Sequence, residues 1–270
     1  MDGYVSNLAI SQAISKAMSN HFLAMHLVAV LMTVPSQGIS TQPTAYSTTP
    51  MNQVSLNFRP PAGQGAPTGR ARGGASRGSC PDTALPVTAL VPLATNTAAH
   101  PEQDIAAAVG LTTQIYPTLW FYIPFALSAE RTAEFSLLDA EGNYLYKTTI
   151  SSSSSAGILG IELPRTVPPL AAETTYSWIV QVNCDTANPI SIWGNLRRVV
   201  LEPALARQLE QASLRERAAL YAEHGIWYEA LTTLAQGSRI QPSDPDILAD
   251  WQDLLRSAGL ADLAKQPVLP

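Results

Sequence analysis

Short apolar runs separated by turn residues fill the chain between residues 84 and 200. The clearest run extends from Tyr176 to Cys184, where every even-numbered position is apolar. Because successive side chains of a strand point to opposite faces, this alternation predicts a strand with one face toward the core. The run from Leu119 to Ile123 is apolar on both faces, which predicts a central strand rather than an edge strand.

Further short runs predict the remaining strands of the same region. They lie at residues 87–91, 133–138, 144–150, 158–163, 190–193 and 196–200. A turn-forming segment, Asp139-Ala140-Glu141-Gly142-Asn143, joins two of these runs and predicts a hairpin. About seven strands at this spacing are typical of a sandwich. Residues 69–200 are therefore predicted to form an antiparallel β-sandwich of the immunoglobulin or fibronectin type III kind.

Three aromatic residues are candidates for the core of this sandwich or for one of its corners. Leu170 precedes Tyr176 in a loop-to-strand pattern similar to that of immunoglobulin-like folds, where the tyrosine hydroxyl bonds to upstream backbone. Tyr176 is therefore the candidate corner residue and Trp120 the candidate buried core tryptophan. Trp178 belongs to the inward face of its strand.

Apolar positions recur at helical spacing in the last part of the chain, residues 201–270, which predicts a helical C-terminal segment. Ser213 and Glu216 fit a capping box that starts one helix. Gly225 is a natural break, and Asp244 fits the N-cap of another helix. The fold class is therefore mainly β with a C-terminal α segment.

The stretch from Ala219 to Leu231, followed by Pro242, resembles one tetratricopeptide unit. Only one copy is present, whereas a stacked solenoid needs about three. We therefore expect either a small tetratricopeptide-like cap on the sandwich or an element that docks on a partner. Trp227, Tyr228 and Trp251 mark the candidate partner-docking helices.

The first 40 residues fit an export signal peptide. An apolar run from Phe22 to Val34 follows Lys16 and is shorter than the roughly 20 residues that a membrane span needs. An uncleaved anchor and a buried helix are the alternatives for this segment. Residues 41–68 hold Pro, Gly, Ser and Thr with few apolar residues, which predicts a disordered linker. No other segment is long enough to span a bilayer, so no membrane span is expected after signal removal.

Composition narrows the function classes further. Apolar residues make up 46% of the chain and charged residues only 14%, against roughly 25% charged in an ordinary soluble domain. The formal net charge is −5, whereas a nucleic-acid-binding domain usually carries a basic footprint. These values favour a β-rich protein with many turns that binds no nucleic acid.

The chain has two cysteines, Cys80 and Cys184, so one intramolecular disulfide can form. An oxidising compartment would favour that bond. Two unrelated reduced cysteines are the alternative. A structural zinc site takes four ligands, which two cysteines alone do not supply.

The stretch "GRARGGASRGSCP" at residues 69–81 allows several interpretations. Ser76 lies in a G-x-S-x-G pattern, but the strand before it and the helix after it that a hydrolase nucleophile needs are missing. One Arg-Gly-Gly without aromatic neighbours is a weak nucleic-acid signal. Arg70, Arg72 and Arg77 are candidates for an anion clamp, since arginine forks and glycine backbone N–H groups bind phosphates and carboxylates. The alternative is that the glycines let the segment lie against the sandwich, with the arginines solvated or paired with carboxylates.

No arrangement of catalytic residues is recognisable in the sequence. It contains no H-E-x-x-H, P-loop or C-x-x-C motif. His100 and His224 are expected at the surface, and the acidic residues near the hairpin are expected to form a solvated rim rather than a glycosidase pair. We therefore expect no catalytic site, no cofactor and no metal site.

Several stretches of the chain, taken in order, carry a family resemblance. They are "GRARGGASRGSCP", "ALVP", "GLTTQIYPTLWFYIPF", "AEFSLLDAEGNYLY", "TYSWIVQVNCD" and "GIWYEALTTLA". Together they resemble an uncharacterised, mainly cyanobacterial family known as domain of unknown function number 928, over roughly residues 60–265. The resemblance implies a signal peptide and a cyanobacterial periplasm or lumen. It implies no activity and no catalytic residues.

These patterns favour an exported, non-enzymatic binding or scaffolding module of the cell envelope. The expected location is periplasmic, lumenal or extracellular, and the expected partner is another envelope protein. A module that binds an anionic glycan or a phosphate ligand is the first alternative. An enzyme of unknown type is the second.

Overall fold

A computed structural model describes residues 56–61, 69–74, 80–93, 109–151, 153–184 and 188–270. The predicted signal peptide and most of the predicted linker lie outside these residues. The described chain is mostly β, with two sheets of three and five strands followed by four helices. None of the helices described is long and apolar enough to cross a membrane.

The smaller sheet has the strand order β1-β3-β6. Its strands are β1 (Thr88–Ala89), β3 (Thr118–Ile123) and β6 (Gly157–Glu162), and both pairings are antiparallel. β3 lies at the centre, as its unbroken apolar run predicts. The C-terminal tail covers the outer edge of β6, because the Ile158 N–H donates to the Pro267 carbonyl at 2.7 Å and the Leu269 N–H donates to the Ile158 carbonyl at 2.7 Å.

The larger sheet has the strand order β2-β8-β7-β4-β5. Its strands are β2 (Gly110–Thr112), β4 (Thr132–Leu138), β5 (Tyr144–Ile150), β7 (Thr174–Asn183) and β8 (Ile190–Arg198). The inward positions of β7 are buried, including Trp178 and Val180. The ring of Phe121 on β3 lies 5.4 Å from that of Trp178. The two sheets therefore pack face to face through these aromatic residues.

The larger sheet departs from the sequence prediction in two ways. β2 was not predicted, and it pairs parallel to β8, so the arrangement is not purely antiparallel. β8 is one continuous strand where two short runs were predicted, because it pairs with β7 from Arg198 to Ile190 without a break. A strand of three residues such as β2 is too short for alternation to be visible, and its partner is set by tertiary packing.

The helices follow the sequence prediction. They are α1 (Pro203–Gln211), α2 (Leu214–Glu223), α3 (Trp227–Ile240) and α4 (Pro245–Ser257), followed by a short 3-10 turn at Ala261–Leu263. The capping box of Ser213 and Glu216 is present at the start of α2. Asp244 caps α4 by accepting hydrogen bonds from the backbone N–H groups of Asp246 and Ile247.

Helices α2, α3 and α4 share one hydrophobic core with the sheets, and α1 packs in a second, smaller cluster. The indole N–H of Trp227 donates to the Leu90 carbonyl, next to β1, at 2.7 Å. Trp227, Tyr228 and Trp251 are only 0%, 2% and 3% exposed. These three rings attach the helices to the rest of the fold and are not themselves exposed. The prediction that these helices dock on a partner stays a prediction.

Residues 56–61, which fall within the predicted linker, pack against the core. Leu56 is fully buried and the Phe58 ring meets the Trp227 ring edge-on, with centroids 4.9 Å apart. The Arg59 N–H donates to the Ala222 carbonyl at 3.1 Å. Two apolar residues in a polar region are enough to anchor the segment, because each buried side chain of this size contributes about 1.5–3 kcal/mol.

Candidate functional site

A buried carboxyl group lies where the helices meet the larger sheet. Glu229 is in the first turn of α3, within the run Trp227-Tyr228-Glu229-Ala230-Leu231. The side chains around it bind α3 to the core, and Glu229 itself is only 6% exposed. Acidic residues are rarely buried to this extent unless they are paired or carry a function.

One oxygen of Glu229 is fully engaged. Its Oε1 accepts a hydrogen bond from the Thr112 hydroxyl at 2.6 Å. The backbone N–H groups of Thr113 and Gln114 donate to the same oxygen at 2.9 and 3.1 Å. These donors lie at the end of β2 and just after it, so the carboxyl group bonds α3 to the sheet.

The other oxygen of Glu229, Oε2, is buried and has no hydrogen-bond partner within the described part of the chain. Burial raises the pKa of Glu229, and the donors from Thr112, Thr113 and Gln114 offset this effect only in part. Burial also raises the pKa of the neighbouring Tyr221 and Tyr228 hydroxyls. Both phenols are therefore neutral throughout the physiological pH range.

A cleft of about 290 Å³ lies beside Glu229. One wall is the segment that leads from β2 into β3, with the end of β6, and the other wall is formed by α2 and α3. The lining residues are Gln114, Tyr116, Pro117, Thr118, Glu162, Arg217, Tyr221, Tyr228, Glu229, Thr232, Thr233 and Gln236. Most of them have polar side chains.

Many of these polar side chains are uncommitted. The side chains of Gln114, Thr118, Thr233 and Gln236 make no hydrogen bond to any other described residue. Two charged side chains, Glu162 and Arg217, also line the cleft. Arg217 has only a long contact of 3.4 Å to a backbone carbonyl, and the described residues offer it no carboxylate partner. The cleft is therefore rich in groups that can both donate and accept hydrogen bonds, and poor in charge.

Trp120, the candidate core tryptophan, bonds to a residue that lines the cleft. Trp120 is 2% exposed, and its indole N–H donates to the Thr232 hydroxyl at 2.9 Å. Trp178 is fully buried between the sheets. The Tyr176 hydroxyl accepts a hydrogen bond from the Ala171 N–H at 2.8 Å, a bond to upstream backbone of the kind that the sequence suggests.

The glycine-rich segment, residues 69–74, joins the edges of the two sheets. At one end, Arg70 and Trp193 of β8 exchange backbone hydrogen bonds of 2.8 and 2.9 Å. Three residues later, the Gly73 N–H donates to the Val87 carbonyl, beside β1, at 2.8 Å. Gly69 approaches β8 so closely that a Cβ would lie 2.6 Å from the Trp193 carbonyl oxygen, at a backbone φ of +114° that disfavours other residues.

Arg70 and Arg72 of the candidate anion clamp have separate partners in the fold. The two terminal guanidinium nitrogens of Arg72 donate to the carboxylate of Asp262, at 2.6 and 2.8 Å. The Arg70 guanidinium lies 5.2 Å from the centre of the Trp193 ring. Arg77 lies outside the described residues. Pairing with Asp262 leaves Arg72 without the fork that an external anion would need, so the alternative interpretation, an arginine paired with a carboxylate, is correct for this residue.

The predicted disulfide is present, and it joins Cys80 to Cys184 across 104 residues of sequence. Cys184 directly follows β7, and Cys80 is buried with the core. The bond therefore fixes the region after the glycine-rich segment to the end of the longest strand.

Sequence reasoning did not identify Glu229 or the cleft. The one signal was a carboxylate inside the apolar run "IWYEAL". That signal is ambiguous, because an acidic residue in the first turn of a helix is also favoured by the helix dipole. The donors that bind Glu229 lie more than a hundred residues earlier in the chain, so no local pattern connects them.

Comparisons with known proteins give one family match. A family model described as Domain of Unknown Function (DUF928) matches residues 72–268. A search of curated protein sequences finds no match. Among solved structures, the chain is similar to FlgD from Xanthomonas campestris, in a crystal structure described as giving insights into the hook capping essential for flagellar assembly. The identity is 16%, the TM-score is 0.23, and the match covers 32% of this chain and 62% of that chain. At this TM-score the likeness carries no argument.

Proposed function

The chain belongs to the family described as Domain of Unknown Function (DUF928), and we propose that it is an exported, non-enzymatic binding module whose ligand occupies the cleft beside Glu229. The observation that carries this proposal is the unpartnered Oε2 of Glu229. Leaving a buried polar group unpaired costs about 1–3 kcal/mol, and folded proteins contain few such groups. A ligand that hydrogen-bonds at the cleft floor offsets this cost.

The fold supports the binding assignment. The orders β1-β3-β6 and β8-β7-β4-β5 correspond to the A-B-E and G-F-C-C′ orders of immunoglobulin-like sandwiches, with β2 as an added parallel strand. The helix pair α2 and α3 corresponds to the single tetratricopeptide-like unit. We propose that this unit serves as a cap that completes a ligand site on an immunoglobulin-like sandwich.

Export is supported by two features. The apolar run at residues 22–34 has the length of a signal-peptide core. The disulfide between Cys80 and Cys184 forms most readily in an oxidising compartment such as a periplasm, a lumen or the extracellular space. Both features fit a protein of the cell envelope.

A binding role is favoured over catalysis by the position of the carboxyl groups. Oε1 of Glu229 already accepts hydrogen bonds from Thr112, Thr113 and Gln114. Among the described residues, Glu162 is the other carboxyl group that lines the cleft. A carboxyl group held by three residues of the fold supports a wall of the cleft better than a reaction.

Thermal unfolding with a library of small polar compounds tests the proposal. A compound that occupies the cleft should raise the Tm of the wild type and have much less effect on Gln236→Ala, which removes a lining amide. Gln208→Ala is the matched control, because Gln208 is an exposed helical glutamine on α1, away from the cleft. A compound that stabilises all three proteins equally, or a library that stabilises none of them, would count against the proposal.

A further inference from the structure

We infer that the ligand is an uncharged, polyhydroxylated molecule, one sugar unit of a neutral glycan, held by the amide and hydroxyl side chains of the cleft. This inference rests on the proposed function of the cleft and names the chemical class of its ligand. It differs from the anionic glycan that the arginines of the glycine-rich segment suggest.

The hydrogen-bonding groups of the cleft match sugar hydroxyls. A sugar hydroxyl donates one hydrogen bond and accepts others, so it needs partners that do both. Gln114 and Gln236 each offer an acceptor oxygen and two donor hydrogens, and Thr118 and Thr233 offer hydroxyl groups. None of these side chains is used inside the described protein. Four such side chains around one small cleft form a site for several neighbouring hydroxyls.

The charges of the cleft disfavour an ionic ligand of either sign. An anion would meet Glu162, whereas a cation would meet Arg217. A neutral ligand meets neither conflict. Carboxylate and guanidinium groups each present two atoms in one plane, so Glu162 and Arg217 can each bond two adjacent hydroxyls.

Two tyrosines complete the resemblance to a sugar site. Tyr116 and Tyr221 line the cleft and are half-buried, on opposite walls. Each ring offers an apolar face for the C–H surface of a sugar and a hydroxyl group for hydrogen bonding. The volume of about 290 Å³ lies just below the roughly 300–1,000 Å³ range of ligand sites. One sugar ring therefore occupies the cleft, and the rest of a longer glycan continues outside.

An array of oligosaccharides tests the ligand class with the full chain. It contains neutral maltohexaose, cellohexaose and chitohexaose, acidic oligogalacturonate, and basic chitosan hexamer. We expect retention of a neutral glycan that is unchanged between low and high salt, since no ion pair is involved. Thr233→Val and Gln236→Ala should each weaken retention about tenfold or more. The controls Thr149→Val and Gln208→Ala, at exposed positions of β5 and α1, should not.

The outcomes separate the ligand class from the site. Retention of only an acidic or a basic glycan, lost in Thr233→Val and Gln236→Ala, would overturn the neutral class and leave the cleft as the site. Retention of a neutral glycan that the cleft variants do not weaken would overturn both. Retention of no glycan would overturn the inference, and the thermal unfolding test with small polar compounds would then judge the cleft by itself.

Discussion

The two carboxyl oxygens of Glu229 have different roles. Oε1 bonds α3 to the end of β2, while Oε2 is buried without a partner in the described structure. The same residue therefore holds the cleft in shape and makes its floor polar. A fully apolar floor would stabilise the fold more and would bind a polar ligand less well.

The first prediction concerns Glu229→Gln and pH. Burial raises the pKa of Glu229 in the folded protein above its ordinary value of about 4.3. The folded state then holds a proton that the unfolded chain releases, so the free energy of unfolding falls as the pH rises from about 4 through the folded-state pKa. Gln has no proton to lose. The variant should therefore gain stability relative to the wild type as the pH rises from 4 to 8.

Urea unfolding at several pH values measures this effect. Tyr221 and Tyr228, the other titratable groups against Glu229, stay neutral over the range because their pKa values are raised. Glu162 and Arg217 are shared by both proteins. A stability difference that does not change between pH 4 and pH 8 would contradict the burial of an ionisable Glu229.

The second prediction concerns Gly110→Ala. A Cβ at Gly110 would lie 2.6 Å from Cε2 of Tyr228 and 2.9 Å from its Cζ, so the ring must move. We expect a loss of about 1–3 kcal/mol, the usual cost of overpacking a core. Gly74→Ala is the control, because its Cβ would meet nothing closer than the Arg70 guanidinium at 3.6 Å. Equal stabilities of the two variants in urea would show that Tyr228 does not pack against β2 in this way.

At the scale of the elements, the glycine-rich segment acts as a tie between the sheets and the C-terminal region. Its backbone bonds to β8 and beside β1, and its Arg72 bonds to Asp262 in the 3-10 turn. Each contact lies far from the others in sequence. The segment is therefore a structural element of the fold, although its composition is that of a linker.

Asp262→Asn tests this tie. Arg72 lowers the pKa of Asp262, so the pair contributes stability above the ordinary Asp pKa of about 3.9 and loses it on acidification. The Arg72 side chain is only 17% exposed. We expect a loss of about 1–2 kcal/mol at pH 7, between the values for exposed and buried pairs. Asp253→Asn, which breaks an exposed pair with Arg256, should cost less than about 0.5 kcal/mol. Similar losses in the free energy of unfolding for both variants at pH 7 would contradict a stabilising role of the bond between Arg72 and Asp262.

Elements with strong local signals could be predicted, and those defined by distant partners could not. β7 and the start of α2 follow directly from alternation and from a capping box. β2 is three residues long, and it is recognisable as a strand only by its pairing with β8. The role of Glu229 could not be predicted for the same reason, because its hydrogen-bond donors at residues 112–114 lie next to it only after folding. The packing of Trp227 beside β1 could not be predicted, because a helical stripe of aromatic residues does not show what it packs against.

At the scale of the whole molecule, the sheets share one core with helices α2, α3 and α4, and α1 packs in a second, smaller cluster. Trp227 bonds to the backbone beside β1, and Trp120 of β3 bonds to Thr232 of α3. The cleft lies along this junction. Anything that loosens the helices from the sheets should therefore change the cleft as well as the stability.

The disulfide should stabilise this whole body. Cys80→Ala with Cys184→Ala removes a bond that closes a loop of 104 residues. We expect a loss of about 2–4 kcal/mol in free energy of unfolding, because the unfolded chain regains the entropy of the open loop. Guanidinium unfolding of the double variant, beside the wild type without reductant, measures it. Unchanged stability would mean that the bond does not form in the purified protein.

Amide hydrogen exchange of the full chain, with and without a saturating neutral hexasaccharide from the array, tests whether the cleft binds a neutral glycan. We expect slower exchange in peptides that cover residues 112–118 and 228–236, the two walls of the cleft, when maltohexaose, cellohexaose or chitohexaose is bound. Slower exchange confined to residues 69–74 and 192–195, where Arg70 lies over Trp193, would place the ligand on the glycine-rich segment. That result would contradict the assignment of the cleft as the ligand site.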